Sequence, residues 1–315
     1  EGNRGQANAL LDRHVPKPGE SDIRGFEWHL LHSQAGGDEM ASFDHTGMNA
    51  GVVLGPGGDW IAAVSKFGPL RVWDVQSGKL LREFRSLEKR EPRRSLAISP
   101  DGQHLVHVGD ERFWLRRTRD WNVEWEFPAK ANVVAFTPDG QLAWAYGGRL
   151  HFMDPGTTNI VSTFDRFTSD TGSLLSFASD GKLFLFRDAY GAAVLAERQT
   201  GKVLQRLQQE RYAAAVLSPD GRLIATGSPD GRLILWAAAA GDRIAEVRAH
   251  GSWLLDAAFS TDSTRLVTGG GDQLVRIWDV TDPKSLQKEM SRRTGHWNEV
   301  WTVGFAGDGR ILSGG

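Results

Sequence analysis

A tight-turn signature returns seven times along this chain at nearly even spacing. Three copies read in full: Ser99-Pro100-Asp101-Gly102, Thr137-Pro138-Asp139-Gly140 and Ser218-Pro219-Asp220-Gly221. Four are looser: Gly55-Pro56-Gly57-Gly58, Ala178-Ser179-Asp180-Gly181, Ser260-Thr261-Asp262-Ser263 and Ala306-Gly307-Asp308-Gly309. Their second residues stand at 56, 100, 138, 179, 219, 261 and 307, so the steps are 44, 38, 41, 40, 42 and 46 residues. The turn has a mechanism: proline presets φ at the second position, aspartate or serine bonds the local backbone, and glycine closes the loop. Each copy is read as a tight hairpin.

Short β-rich runs flank these turns, such as Leu96-Ala97-Ile98 before one and His104 to Val108 after it. A third run follows with a recurring ending: Leu70-Arg71-Val72-Trp73-Asp74, Leu233-Ile234-Leu235-Trp236 and Leu274-Val275-Arg276-Ile277-Trp278-Asp279. A glycine-containing turn then leads to a fourth run, as at 78–84 and 201–207. Four strands per period of about forty residues describe a β-propeller blade. The expected fold is all-β, a seven-bladed β-propeller of four-stranded blades spanning 38–315. After Gly309 only six residues remain, so the seventh blade is expected to be incomplete. Its fourth strand would come from residues 40–45, closing the ring and removing a free sheet edge. The missing third strand predicts that the natural polypeptide continues.

These residues resemble the WD-repeat family, whose blades end in Trp-Asp and often open with Gly-His. The resemblance implies a buried hydrogen-bond relay of His, Ser or Thr, Asp and Trp within a blade. The matching positions are His250, Thr268, Asp272 and Trp278 in the sixth blade. Thr226, Asp230 and Trp236 supply three of the four in the fifth, and His296 and Ser313 begin a seventh set. Blades two to four depart from the pattern, with Arg116-Arg117, Met153-Asp154 and Glu197-Arg198 at their third-strand ends.

Chemistry-bearing motifs are scarce. The 315 residues, 40% hydrophobic and 24% charged, supply a large core, while a formal net charge of −2 favours neither nucleic acid nor an anionic membrane. No cysteine occurs, so disulfides, thiolate zinc sites and thiol nucleophiles are excluded. No apolar run approaches the roughly 20 residues needed to cross a bilayer. The nine histidines form no HExxH motif and read as structural or surface groups, so no metal site is assigned. There is no GxSxG elbow, GxGxxG or Walker loop. The turn aspartates are accounted for by backbone bonding. No catalytic residue and no cofactor are therefore assigned.

A non-catalytic interaction or sensing scaffold is the leading functional reading, with a protein or peptide ligand and neither nucleic acid nor membrane as partner. The alternative is an enzyme or small-molecule binder using the central channel, which would need converging histidine and carboxylate side chains there. Candidate partner-binding residues lie just before first strands, where connections reach one end of the ring: Trp253, Trp297, Glu299, Trp301, Arg211 and Tyr212. Arg93 and Arg94 join them from the basic run at 85–94, whose better reading is a solvated loop interrupted by Glu88 and Glu91. An exposed tryptophan would be a hot-spot candidate.

The first 37 residues read differently. Ala7, Leu10 and Leu11 fall on one helical face; Pro16 and Pro18 break that pattern; and Ile23, Phe26, Leu30 and Leu31 begin another. A short α-helical hairpin, acting as linker or cap over 1–37, is expected, with Phe26, Leu30 and Leu31 buried. Its wording, Ala9-Leu10-Leu11-Asp12-Arg13-His14 and Asp22-Ile23-Arg24-Gly25-Phe26-Glu27-Trp28, resembles the linker before the C-terminal WD repeats of bacterial membrane-anchored serine/threonine kinases. That resemblance implies an upstream kinase domain and membrane helix, with this part a tethered, extracytoplasmic regulatory propeller. No kinase motif lies in the chain itself.

Overall fold

In the computed structural model the described residues are 49–65, 69–84, 96–109, 111–165, 175–188, 192–207, 213–286, 289–293, 296, 298–306 and 309–315. They form six four-stranded antiparallel sheets, over 49–84, 96–127, 133–165, 175–207, 214–248 and 254–293, and one two-stranded sheet over 302–314. Each four-stranded sheet runs in simple sequence order from first strand to fourth. First strands pack against the first strands of neighbouring sheets, so they stand innermost. The two-stranded sheet closes the circle by touching the first strands of both the sixth blade and the first.

One expectation is corrected. Among the described residues the protein forms six blades rather than seven with the last incomplete, because there the strands after Val300 pair only with each other, Thr302–Phe305 with Ile311–Gly314. Seven turn signatures therefore do not mean seven blades: a turn needs two strands, and a blade needs four. No α-helix stands among the described residues, where a three-residue 3₁₀ turn at Pro283–Ser285 is the sole helical element. The expected hairpin over 1–37, the burial of Phe26, Leu30 and Leu31, and the strand at 40–45 lie outside the described residues.

Strand composition follows position in the ring. The third strand of blade five, Arg232–Ala237, buries four consecutive residues because neighbouring blades cover both its faces. The fourth strand, Arg243–Arg248, buries none fully and can carry charge. Apolar clusters bridge consecutive blades: Leu185 and Leu195 meet Ile224 and Trp236, while Leu233 and Leu235 meet Leu254 and Trp278. In every complete blade the register between third and fourth strands slips by one residue, beside Trp73, Arg116, Met153, Ala196, Trp236 and Trp278 respectively. Such bulges increase local twist.

The turns work as their residues dictate. Ser99 Oγ donates to Asp101 at 2.5 Å, Gln103 N–H donates to the same carboxylate, and Gly102 N–H closes on the Ser99 carbonyl at 2.8 Å. Gly102 sits at φ +69°, a region costly for residues with a Cβ. Ser263 takes the same conformation in the sixth copy, φ 61°, and its hydroxyl accepts the Asp220 N–H of the preceding blade's turn at 3.1 Å. A bond between blades thus offsets the strain.

Candidate interaction site

In blade six an apolar sheet encloses an unbroken polar chain. Trp278 Nε1 donates to Thr268 Oγ1 at 3.0 Å, and Thr268 Oγ1 lies 2.8 Å from His250 Nε2. His250 Nδ1 lies 2.7 Å from Asp272 Oδ1. One tautomer satisfies every link: neutral His250 donates through Nδ1 to ionised Asp272 and accepts the Thr268 hydroxyl at Nε2. His250, Thr268 and Trp278 are all buried. Burial pushes the His250 imidazole below its ordinary value, against the pull of Asp272. Burial alone would raise the Asp272 carboxyl, but hydrogen bonds from the Gly251 amide, His250 and Arg276 bring it down to about 2.

Arg276 was missed as part of this group. Its Nη1 donates to Asp272 Oδ2 and lies within the same 2.8 Å of His250 Nδ1, and its Nε is 3.6 Å from Glu289. The sequence signal was a lone cation in the apolar run 274–278, four residues after Asp272. Its positive charge also disfavours a charged His250.

Blade five separates its three candidates. Trp236 Nε1 donates to Thr226 Oγ1 at 2.8 Å, whereas Asp230 turns to its own loop, bonding Ser228 Oγ and Arg232 Nε. Hydrogen bonding by Ser228 holds the Asp230 carboxyl below its ordinary value. His296 Nε2 lies 2.7 Å from Ser313 Oγ, and burial lowers its imidazole pKa. At the register of Thr226 and Thr268, blade two has His107 stacked on Trp114 at 5.5 Å, and blade three has Trp144 stacked on His151 at 4.9 Å.

The polar chain governs a surface loop. His250 N–H donates to the Gly231 carbonyl, Leu254 N–H to the Ser228 carbonyl, and Gly271 N–H to the Trp253 carbonyl. The connection carrying His250 and Trp253 is thereby clamped between the second-to-third-strand turns of blades five and six. Close approach requires glycine at two points: a Cβ on Gly231 would fall 2.2 Å from the His250 carbonyl oxygen, and one on Gly270 would fall 2.2 Å from His250 Nδ1. On this clamped loop Trp253 is 49% exposed. Glu299 is exposed next to Gly271, its Oε1 3.5 Å from where a Gly271 Cβ would be. Trp301 is half-buried, and its N–H donates to the Gly314 carbonyl. Arg93, Arg94, Arg211, Tyr212 and Trp297 lie outside the described residues.

The inner strands are chemically plain. Among their described residues Asp256 is the single ionisable group, and it is buried and accepts the Val303 N–H at 3.0 Å. Among the described residues no three His, Asp or Glu side chains gather as metal ligands, and no helix is long and apolar enough to cross a membrane.

Comparison with known proteins gives this geometry a family context. Residues 208–237 and 241–279 match the WD domain, G-beta repeat family. The WD repeat and SOCS box-containing protein 1 of Homo sapiens is 26% identical over 200 residues, covering 57% of this chain and 45% of that protein. The serine-threonine kinase receptor-associated protein of Mus musculus is 35% identical over 100 residues, 31% of this chain and 27% of that protein. Ribosome assembly protein 4 of Saccharomyces cerevisiae is 38% identical over 68 residues, 21% and 12% respectively. The chain spans less than half the length of each of these relatives. The two matched stretches, in blades five and six, are thus similar to WD40 repeats, and they sit in a β-propeller.

Proposed function

We propose that the chain is a protein-interaction scaffold, and that its docking face is the ring end bearing the 250–253 connection, the 270–274 turn and residues 298–301. The observation that carries the reading is Trp253: a large aromatic group, 49% exposed, on a loop tied down by backbone bonds and by the His250 chain. A rigid exposed aromatic loses little entropy when a partner covers it. Names of the matched relatives, "receptor-associated" and "ribosome assembly", speak of association in those proteins. The channel-enzyme alternative is weakened by inner strands whose one described ionisable side chain is already engaged.

Selection of binding peptides from an unbiased displayed library tests this. The expected binders lose at least about tenfold in affinity with Trp253→Ala, a hot-spot-sized loss, and are unaffected by Leu81→Ser at an exposed fourth strand. Binders indifferent to Trp253 would overturn the assignment of this face. The finer reading, a regulatory propeller of a bacterial serine/threonine kinase tethered to a membrane, is supported by the wording of residues 9–14 and 22–28. The full reading frame tests it: a kinase domain and membrane helix upstream are expected, and an unrelated upstream sequence would end it.

A further inference from the structure

Charge around Trp253 is unevenly settled. Asp230 is paired with Arg232, Glu246 with Arg232 and Arg243, and Asp272 with Arg276, which also faces Glu289. Arg232, Arg243 and Arg276 are therefore engaged by carboxylates of their own blades, while exposed Arg248, opposite Arg232 in the sheet, has no ion pair among the described residues. Among the carboxylates here Glu299 is the exception, exposed and with no ion pair or hydrogen bond among the described residues. The Trp253 indole likewise has no hydrogen-bond or ring partner among them, although it is half exposed. Gly271 lies between the two. Its N–H holds the Trp253 carbonyl at 2.8 Å, and its missing side chain leaves open the space that a Cβ would share with Ser252 Oγ at 3.0 Å and Glu299 Oε1 at 3.5 Å.

Resting on the docking face argued above, we propose that Trp253 and Glu299 form a clamp for a cationic side chain, so that the partner presents an arginine- or lysine-bearing peptide here. An aromatic face attracts a cation through its quadrupole, and a neighbouring carboxylate supplies the counter-charge and directed acceptors. An acidic or phosphorylated ligand would meet the uncompensated Glu299 carboxylate, and a purely apolar one would desolvate it without a partner. A cationic group alone gains from both residues at once. The bonded 250–253 connection holds the Trp253 backbone before binding, and the Val300 N–H, donating to the Gly270 carbonyl at 3.0 Å, anchors the segment that carries Glu299.

The test titrates the full 315-residue chain with three capped peptides: tri-arginine, the same peptide with uncharged citrulline, and tri-glutamate. The Trp253 indole N–H and Gly271 amide resonances are followed by NMR, the former assigned by its loss in Trp253→Phe. Tri-arginine is expected to shift both saturably, and the other two peptides neither. Glu299→Gln should weaken the response about threefold to fivefold, and Trp253→Ala, read at Gly271, about tenfold. Salt of about 0.5 M should weaken it further. Equal shifts with citrulline, or none with tri-arginine, would overturn the clamp. Library binders that depend on Trp253 but carry neutral or acidic residues would leave the docking face standing and remove this inference. Saturable tri-arginine binding without any Trp253-dependent library binder would keep the clamp and remove the broader scaffold reading.

Discussion

Blade six and blades two and three fill the same cross-strand position in different ways. Blade six pairs Thr268 with Arg276 and runs a polar chain from Trp278 out to the connection bearing His250. Blades two and three place there His107 on Trp114 and Trp144 on His151, each a near-parallel stack between a second-strand and a third-strand side chain. A stack stabilises by burial and dispersion, which prescribe no single partner or direction. The polar chain is directional: it fixes one loop against two turns, and that loop carries Trp253. Rigidity is thus concentrated at the ring end to which we assign binding.

Removing the stack should cost most. Trp144 is buried among Phe113, Phe127 and His151, so Trp144→Ala is expected to lower unfolding free energy by about 4 kcal/mol through cavity formation. Chemical denaturation reads this, and binding at the Trp253 face should be retained wherever the protein stays folded. His250→Ala should cost about 3 kcal/mol, since it strands Thr268 and Asp272 as well as leaving a void. Unlike Trp144→Ala, it should also loosen the Trp253 loop. The comparison breaks if the two variants loosen that loop equally.

Arg276→Met separates charge from packing. Asp272 keeps His250 and the Gly251 amide, so a loss of about 1 to 2 kcal/mol is expected. His250 should then titrate at higher pH than in the parent, because a neighbouring cation is gone. An NMR pH titration of the His250 ring checks this.

The smallest effect is pH dependence. The folded-state pKa of His250 lies below its ordinary 6.5. As pH falls, the unfolded chain takes up the proton first, so the contribution of neutral His250 is complete above 6.5 and is lost below it, toward the folded value. His151 and His296 are shifted the same way, chiefly by burial. The readout is therefore a difference: between about pH 7.5 and pH 5.5 the parent should lose more urea resistance than His250→Gln does. Equal losses would remove His250 as a source of acid sensitivity. Asp272, with its carboxyl near 2, contributes in a separate window, its share lost from 3.8 downward.

Sequence made some of this legible for identifiable reasons. Pro-Asp-Gly turns impose local geometry, so their spacing located the blades from 96 to 293. Counting turns overstated the number of blades, because each counted turn joins only a first strand to a second and says nothing of a third or fourth. His250, Thr268, Asp272 and Trp278 could be singled out because each is a distinctive type at a repeat position. Arg276 and the two His–Trp stacks depend on which residues face each other across strands, and strand periodicity does not carry that. Nor could wording show that Asp230 turns to Ser228 and Arg232 rather than to Thr226, or that Trp253 is exposed while Trp301 is half covered.

The central claim is that the buried chain holds the Trp253 loop in place. Native-state hydrogen exchange in Thr268→Val tests it most directly, followed at the amides of Gly251, Leu254 and Gly271, with Ala145 of blade three as reference. The first three should exchange at least about tenfold faster than in the parent protein while Ala145 is unchanged. Unaltered protection at Gly251, Leu254 and Gly271 would contradict the account.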